Sequence, residues 1–187
     1  MKQRERIAVI LVDGSNAYAA SRALGFSIDY KKVVDTFEGT VLKAFYFTAL
    51  RAEEHFTNIR TLVDWLGYNG WHTITKPTQE WTQSDGTVKI KGNLDLEICT
   101  IAFEMAPYVT DVILFSGDGD FTFMVESLQR RHGINVTVVS TIKTSPAMCA
   151  DTLRRQADAF WDLADLKSTI GRADELGIRN RRFTEGK

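Results

Sequence analysis

Ile7-Ala8-Val9-Ile10-Leu11-Val12-Asp13-Gly14-Ser15-Asn16 is the stretch that decides the fold. The run from Ile7 to Val12 is apolar and β-rich, with no polar alternation. Such a run describes a strand covered on both faces, as in a parallel sheet. It stops abruptly at Asp13-Gly14-Ser15-Asn16, residues that favour turns and helix caps over extension. Ala17 to Leu24 then reads as a helix, and Gly25 ends it.

The alternation continues outward from that unit. Asp29 is placed to cap a second helix through Thr36. Val41 to Thr48 reads as strand two. Ala52 to Leu66 reads as a helix, with Phe56, Ile59, Leu62, Val63 and Leu66 on one face. Gly67 and Gly70 bracket the turn into a short third strand at Trp71 to Thr75. Asn93 to Met105 is helical by the spacing of Leu94, Ile98, Ile101, Ala102 and Met105. Val112 to Phe115 is strand four, Phe121 to His132 a helix stopped by Gly133, and Asn135 to Ser140 strand five. Pro146 to Leu166 predicts one or two closing helices. Pro77 to Ile90 breaks the pattern: it is polar and contains Ser84-Asp85-Gly86, a hairpin signal. Strands alternating with helices predict one α/β domain, a central parallel sheet with helices on both faces. That domain is expected over residues 1–166, with an inserted loop or hairpin at about 77–90 and a basic extension over 167–187.

Composition narrows the function. The chain has 187 residues, 44% apolar and 25% charged, which is globular and not disordered usage. Its net charge of -1, from 23 Lys and Arg against 24 Asp and Glu, excludes a strongly basic nucleic-acid coat but leaves a local basic groove open. Cys99 and Cys149 have no metal-type spacing, so a reducing, cytoplasmic setting is expected. No apolar run reaches the ~20 residues that span a bilayer, and no membrane partner is expected.

Parallel sheets of this kind hold ligands at the carboxyl ends of their strands. Strand one ends in Asp13, and strand four ends in Ser116-Gly117-Asp118-Gly119-Asp120. The helix that enters strand four must start at the same edge, and its first turn contains Asp95. Three separate segments thus bring Asp13, Asp95, Asp118 and Asp120 to one edge. Like charges packed together repel, and a cation relieves that cost. Oxygen ligands alone suit Mg²⁺ or Mn²⁺, and such ions assist hydrolysis of phosphate esters. Each aspartate alone also makes a good cap or turn residue. The coincidence at three element ends is what points to a site. Rival motifs fail: Gly117-Asp118-Gly119 lacks the third glycine of a dinucleotide loop, no Walker A sequence occurs, and His55, His72 and His132 have no zinc spacing.

Val12-Asp13-Gly14-Ser15-Asn16, Lys91-Gly92-Asn93-Leu94-Asp95 and Ser116-Gly117-Asp118-Gly119-Asp120-Phe121 resemble the NYN domain family. The closing Leu153-Arg154-Arg155-Gln156-Ala157-Asp158-Ala159-Phe160 is similar to the end of that domain, in its bacterial LabA-like branch. The likeness runs from about Ile7 to about Leu166. It implies a PIN-like fold with strand order 3-2-1-4-5 and an acidic metal site at the carboxyl edge. It implies a metal-dependent ribonuclease that uses Mg²⁺ or Mn²⁺ on RNA, single-stranded by expectation. By motif position, Asp13, Asp95, Asp118 and Asp120 are the acidic site, and Asn16 orients a ligand or water. Ser116 is expected to bond a site carboxylate or phosphate. Many relatives carry valine where Asn93 stands, which makes this entry into the helix more polar. LabA-like proteins are also known as regulators, so the alternative is a non-catalytic regulator that binds RNA, a nucleotide or a protein through the same edge. A homodimer stays open.

Any RNA affinity must come from local charge. Lys89 and Lys91 follow the insertion beside Asp95, Lys76 precedes it, and Arg51 follows strand two at the same edge. With Arg172, Arg179, Arg181, Arg182 and Lys187 of the basic tail, these are the candidate phosphate contacts. Trp81 lies in a polar stretch, where it stacks on a base or fills a hairpin contact. Trp65, Trp71 and Trp161 fall in apolar patterns and are expected in the core.

Overall fold

A computed structural model of the chain describes residues 5–50, 58–82 and 88–172, with only the backbone described along 79–82 and 88–91. The elements are β1 (Ile7–Asp13), α1 (Gly14–Ala23), α2 (Tyr30–Asp35), β2 (Thr40–Leu50), α3 (Asn58–Tyr68), β3 (His72–Pro77), β4 (Gln79–Thr82), β5 (Val88–Lys91), α4 (Asp95–Met105), β6 (Asp111–Phe115), α5 (Thr122–His132), β7 (Asn135–Ser140), α6 (Asp151–Gln156), β8 (Ala159–Asp162) and α7 (Leu163–Ile170). β1 pairs in parallel with β2 on one side and β6 on the other, which is why its sequence shows no polar alternation. The sheet order is β3-β2-β1-β6-β7-β8, all parallel. The expected 3-2-1-4-5 order therefore holds, and a sixth strand extends it.

Alternate residues of β1 serve opposite faces of the sheet. Val9 and Leu11 pack with Ile98 and Ala102 of α4, Val125 and Leu128 of α5, and Leu153 of α6. Ala8, Ile10 and Val12 pack with Ala17 and Ala20 of α1, Val33 of α2, Leu66 of α3, and Leu163 and Ile170 of α7. Each buried valine, leucine or isoleucine among them is worth about 1.5–3 kcal/mol relative to exposure. The result is the three-layer α/β architecture that the strand–helix alternation predicts.

Several local expectations are met by specific contacts. Asp29 caps α2 by accepting the Lys31 N–H at 3.1 Å. Gly133 ends α5 in the left-handed region, at φ 62°. The polar insertion forms an antiparallel hairpin, β4 and β5, with Gln79 opposite Lys91 and Trp81 opposite Lys89. Of the helix expected from Ala52, the part before Asn58 lies outside the described residues.

The closing segment corrects the expectation of helices alone. Ala159-Phe160-Trp161-Asp162 is a strand paired with β7. Asp158 forces this path: its carboxylate accepts the Val136 N–H at 2.7 Å and its own N–H donates to the Val136 carbonyl at 3.0 Å. That pair sets the chain alongside β7, and the aromatic residues that follow suit an extended backbone. α7 then crosses residue 166 and runs to Ile170. No helix among the described residues is long and apolar enough to cross a membrane.

Candidate metal centre

β1 delivers Asp13 to the carboxyl edge, where it is 7% exposed and bonded on both oxygens. Oδ1 accepts from the Ser15 hydroxyl (2.7 Å) and the Asn16 N–H (3.2 Å). Oδ2 accepts from the Asn16 side-chain amide (2.6 Å) and the Ser116 hydroxyl (3.2 Å). α1 starts at once because Gly14 has no side chain. A Cβ there would stand 2.7 Å from the Phe47 carbonyl oxygen and from the Tyr46 hydroxyl.

β6 delivers the second segment. Ser116, 1% exposed, accepts the Asp118 N–H at 3.2 Å while it donates to Asp13. Gly117 donates its N–H to Asn16 Oδ1 at 3.4 Å, and a Cβ on it would meet the Met148 carbonyl at 1.7 Å. Asp118 Oδ1 accepts the Asp120 N–H at 3.0 Å and caps a single turn of 3-10 helix at Gly119–Phe121. The third segment is the start of α4. Asn93 holds Asp95 from two sides: its Oδ1 accepts the Asp95 N–H at 2.7 Å, and its amide donates to Asp95 Oδ2 at 2.5 Å. Asn93 thus acts as an orienting partner for Asp95.

Asp95, Asp118 and Asp120 each place a carboxylate oxygen within 4.8 Å of the other two. Asp95 and Asp118 are partly buried and Asp120 is exposed. Burial raises the Asp95 pKa, the Asn93 hydrogen bond opposes that rise, and the charges of Asp118, Asp13 and Asp120 add to it. Asp13 lies outside the triple, tied into its own hydrogen-bond network, but close enough for its charge to act on Asp95. Three mutually repelling carboxylates with no nitrogen or sulfur donor among them fit a hard divalent cation such as Mg²⁺ or Mn²⁺.

The remaining sequence candidates fall as follows. Asn16 and Ser116 both belong to the Asp13 network. Lys89 and Lys91 lie on β5, whose exit at Gly92 is pressed against the end of β2; a Cβ on Gly92 would meet Ala49 Cβ at 2.3 Å. Arg51 lies outside the described residues. Lys76 pairs with Glu97 at 2.7 Å. Trp71 is buried and Trp161 packs against the core, as expected. Trp65 is only partly buried and lines a groove of about 770 Å³. Ser15, Tyr18 and Arg22 of α1 form the facing wall. Sequence reasoning passed over these three, although their i, i+3, i+7 spacing put them on one helix face.

The sequence profile of the NYN domain matches residues 7–165. The chain belongs to the NYN domain family. Over 171 residues, 88% of either chain, this NYN domain is 31% identical to the low amplitude and bright protein LabA of Synechococcus elongatus. It also resembles the crystal structure of a protein of unknown function from Vibrio parahaemolyticus. That likeness has a TM-score of 0.71 at 30% identity and covers 92% of this chain and 100% of the other. The LabA-like branch and the PIN-like fold of the sequence reading both stand. In this NYN domain the acidic triple joins two of the three motif segments, the start of α4 and the loop after β6.

Proposed function

We propose that this NYN domain is a divalent-metal-dependent ribonuclease that hydrolyses phosphodiester bonds of single-stranded RNA. The observation that carries the reading is the convergence of Asp95, Asp118 and Asp120 oxygens within 4.8 Å. These three residues would hold Mg²⁺ or Mn²⁺. When bound, the ion lowers the pKa of a water and offsets the charge that grows on the phosphate.

The other residues hold this constellation in shape. Asn93 fixes the rotamer of Asp95 through its amide bond to Oδ2. Ser116 and Asn16 join the ends of β1 and β6 through Asp13, so the Asp118 loop keeps its distance from α4. Asp13 adds negative charge that acts on Asp95. Lys89, Lys91 and Arg51 would meet phosphates flanking the scissile one.

The test is incubation of the full chain with labelled single-stranded RNA in Mn²⁺ and in chelator, beside Asp118→Asn. Cleavage is expected in Mn²⁺ with the natural sequence and in neither other case. No cleavage, or cleavage that survives in chelator, overturns the reading. A second reading is a LabA-like regulator that binds without turnover. It is favoured by the saturation of both Asp13 oxygens with protein donors, which leaves the triple one carboxylate short of the expected four. Metal-dependent RNA binding without cleavage is its signature.

A further inference from the structure

The groove that begins at Ser15 opens directly off the acidic edge. Ser15 lines it and also donates its hydroxyl to Asp13 Oδ1. One wall is the α1 face of Ser15, Tyr18 and Arg22; the other is the α3 face of Ile59, Leu62 and Trp65. At about 770 Å³ it falls in the range of small-molecule sites.

Resting on the nuclease reading, we infer that this groove seats one nucleotide of the single-stranded RNA, next along the strand from the phosphate at the acidic triple. Shape, charge and floor each point to that occupant. Tyr18 is 63% exposed and stands across from a partly apolar wall, so a flat base can stack there. Among the described residues that line the groove, Arg22 and Arg172 are cationic and none is a carboxylate, in a chain of net charge -1 with three aspartates at the same edge. An anionic strand that approaches this edge is therefore drawn to the groove side. The floor is Tyr30, Tyr46 and Thr48, all buried. The two tyrosine rings meet edge to face at 5.2 Å and, as phenols, carry no charge at physiological pH.

Binding in chelator tests the groove without turnover. The probes are a fluorescein-labelled eight-nucleotide oligoadenylate RNA, read by anisotropy across a salt series, and adenosine monophosphate as competitor. Tyr18→Ala and Arg22→Ala remove exposed side chains, so both variants should melt with the natural sequence. Each is expected to weaken RNA binding about tenfold, and Arg22→Ala to flatten the salt slope by about 0.7. Tyr108→Ala, at the opposite edge of the sheet before β6, should bind unchanged. The monophosphate should compete at least tenfold more weakly than unlabelled oligonucleotide. Natural-sequence protein that does not bind the oligonucleotide, or groove variants that bind it equally well, overturn the inference even where Mn²⁺-dependent cleavage is seen. A monophosphate as strong as the oligonucleotide overturns it in favour of a free nucleotide. Groove-dependent binding without cleavage in Mn²⁺ keeps the groove and refutes the nuclease reading.

Discussion

The Asn16 side-chain amide donates to Asp13 Oδ2 at 2.6 Å. The same side chain accepts the Gly117 N–H through Oδ1, so one asparagine ties the end of β1 to the loop after β6. Asp13 thereby differs from the other aspartates at this edge: four donors converge on its carboxylate. An asparagine at position 13 would turn an amide group toward at least one of those donors. Asp13→Asn should therefore lower stability by about 1–3 kcal/mol, the cost of unpaired buried polar groups. Asp118→Asn keeps an oxygen for the Asp120 N–H and removes one repelling charge, so its stability should hold or rise. Thermal melts of both variants in chelator check the contrast. Equal losses would mean that the carboxylate at 118 is as firmly bonded as the one at 13.

A cation at the acidic triple makes a separate prediction. A ligand that binds only the folded chain adds RT ln(1 + [L]/Kd), about 1.4 kcal/mol at a tenfold excess over Kd. Added Mn²⁺ should raise the melting temperature of the natural sequence, and the rise should vanish in Asp118→Asn. Calorimetry with a Mn²⁺ series reads both. A melting curve indifferent to millimolar Mn²⁺ would remove the metal from the reading altogether.

These outcomes trace what a one-dimensional reading can reach. Asp95, Asp118 and Asp120 were legible because topology sends strand ends and helix starts to one edge. A bond from Ser116 to a site carboxylate was expected, but not the convergence of four donors on Asp13 that sets it apart from the triple. β1 was legible because both its faces are buried, but β8 has only four residues and directly follows α6, so its strand character depends on the Asp158 bonds to β7. Trp65 lies in an apolar pattern, yet the groove exists only because α1 happens to face α3 across it.

Asp162 links the sixth strand to acid stability. Its carboxylate accepts from the Thr141 hydroxyl (2.9 Å), the Ile142 N–H (3.1 Å) and the Ala164 N–H (2.9 Å) at the start of α7. Burial works to raise its pKa, but these bonds and Lys143 outweigh burial and hold it below the ordinary 3.8. A depressed carboxylate adds stability above its unfolded value and loses it as pH falls through the folded one. Asp162→Ala should cost about 1–2 kcal/mol at pH 7. The variant should also lose less stability than the natural sequence as pH falls from about 4 to about 2. Urea unfolding at a series of pH values measures both, and parallel acid limbs would clear Asp162 of this role.

The hairpin makes the last prediction. Gly92 is wedged against Ala49, so the exit of β5 is pinned at the end of β2, two residues before Leu94 and the start of α4. Lys89 and Lys91 are two positions apart on β5, opposite Trp81 and Gln79 in the pairing register. A strand of RNA reaching the acidic triple needs cations along its flanks, because screening at physiological salt confines each charge to about 8 Å. Lys89→Ala and Lys91→Ala should each weaken binding about equally across RNA sequences and flatten the salt dependence by about 0.7. Gly92→Ala should reduce binding through displacement of the hairpin and flatten the salt slope with it, since the slope follows the phosphate contacts made. Anisotropy titrations over a salt series measure all three variants. An unchanged slope in the double lysine variant would move the phosphate path off the hairpin and onto the Arg22 side of the edge.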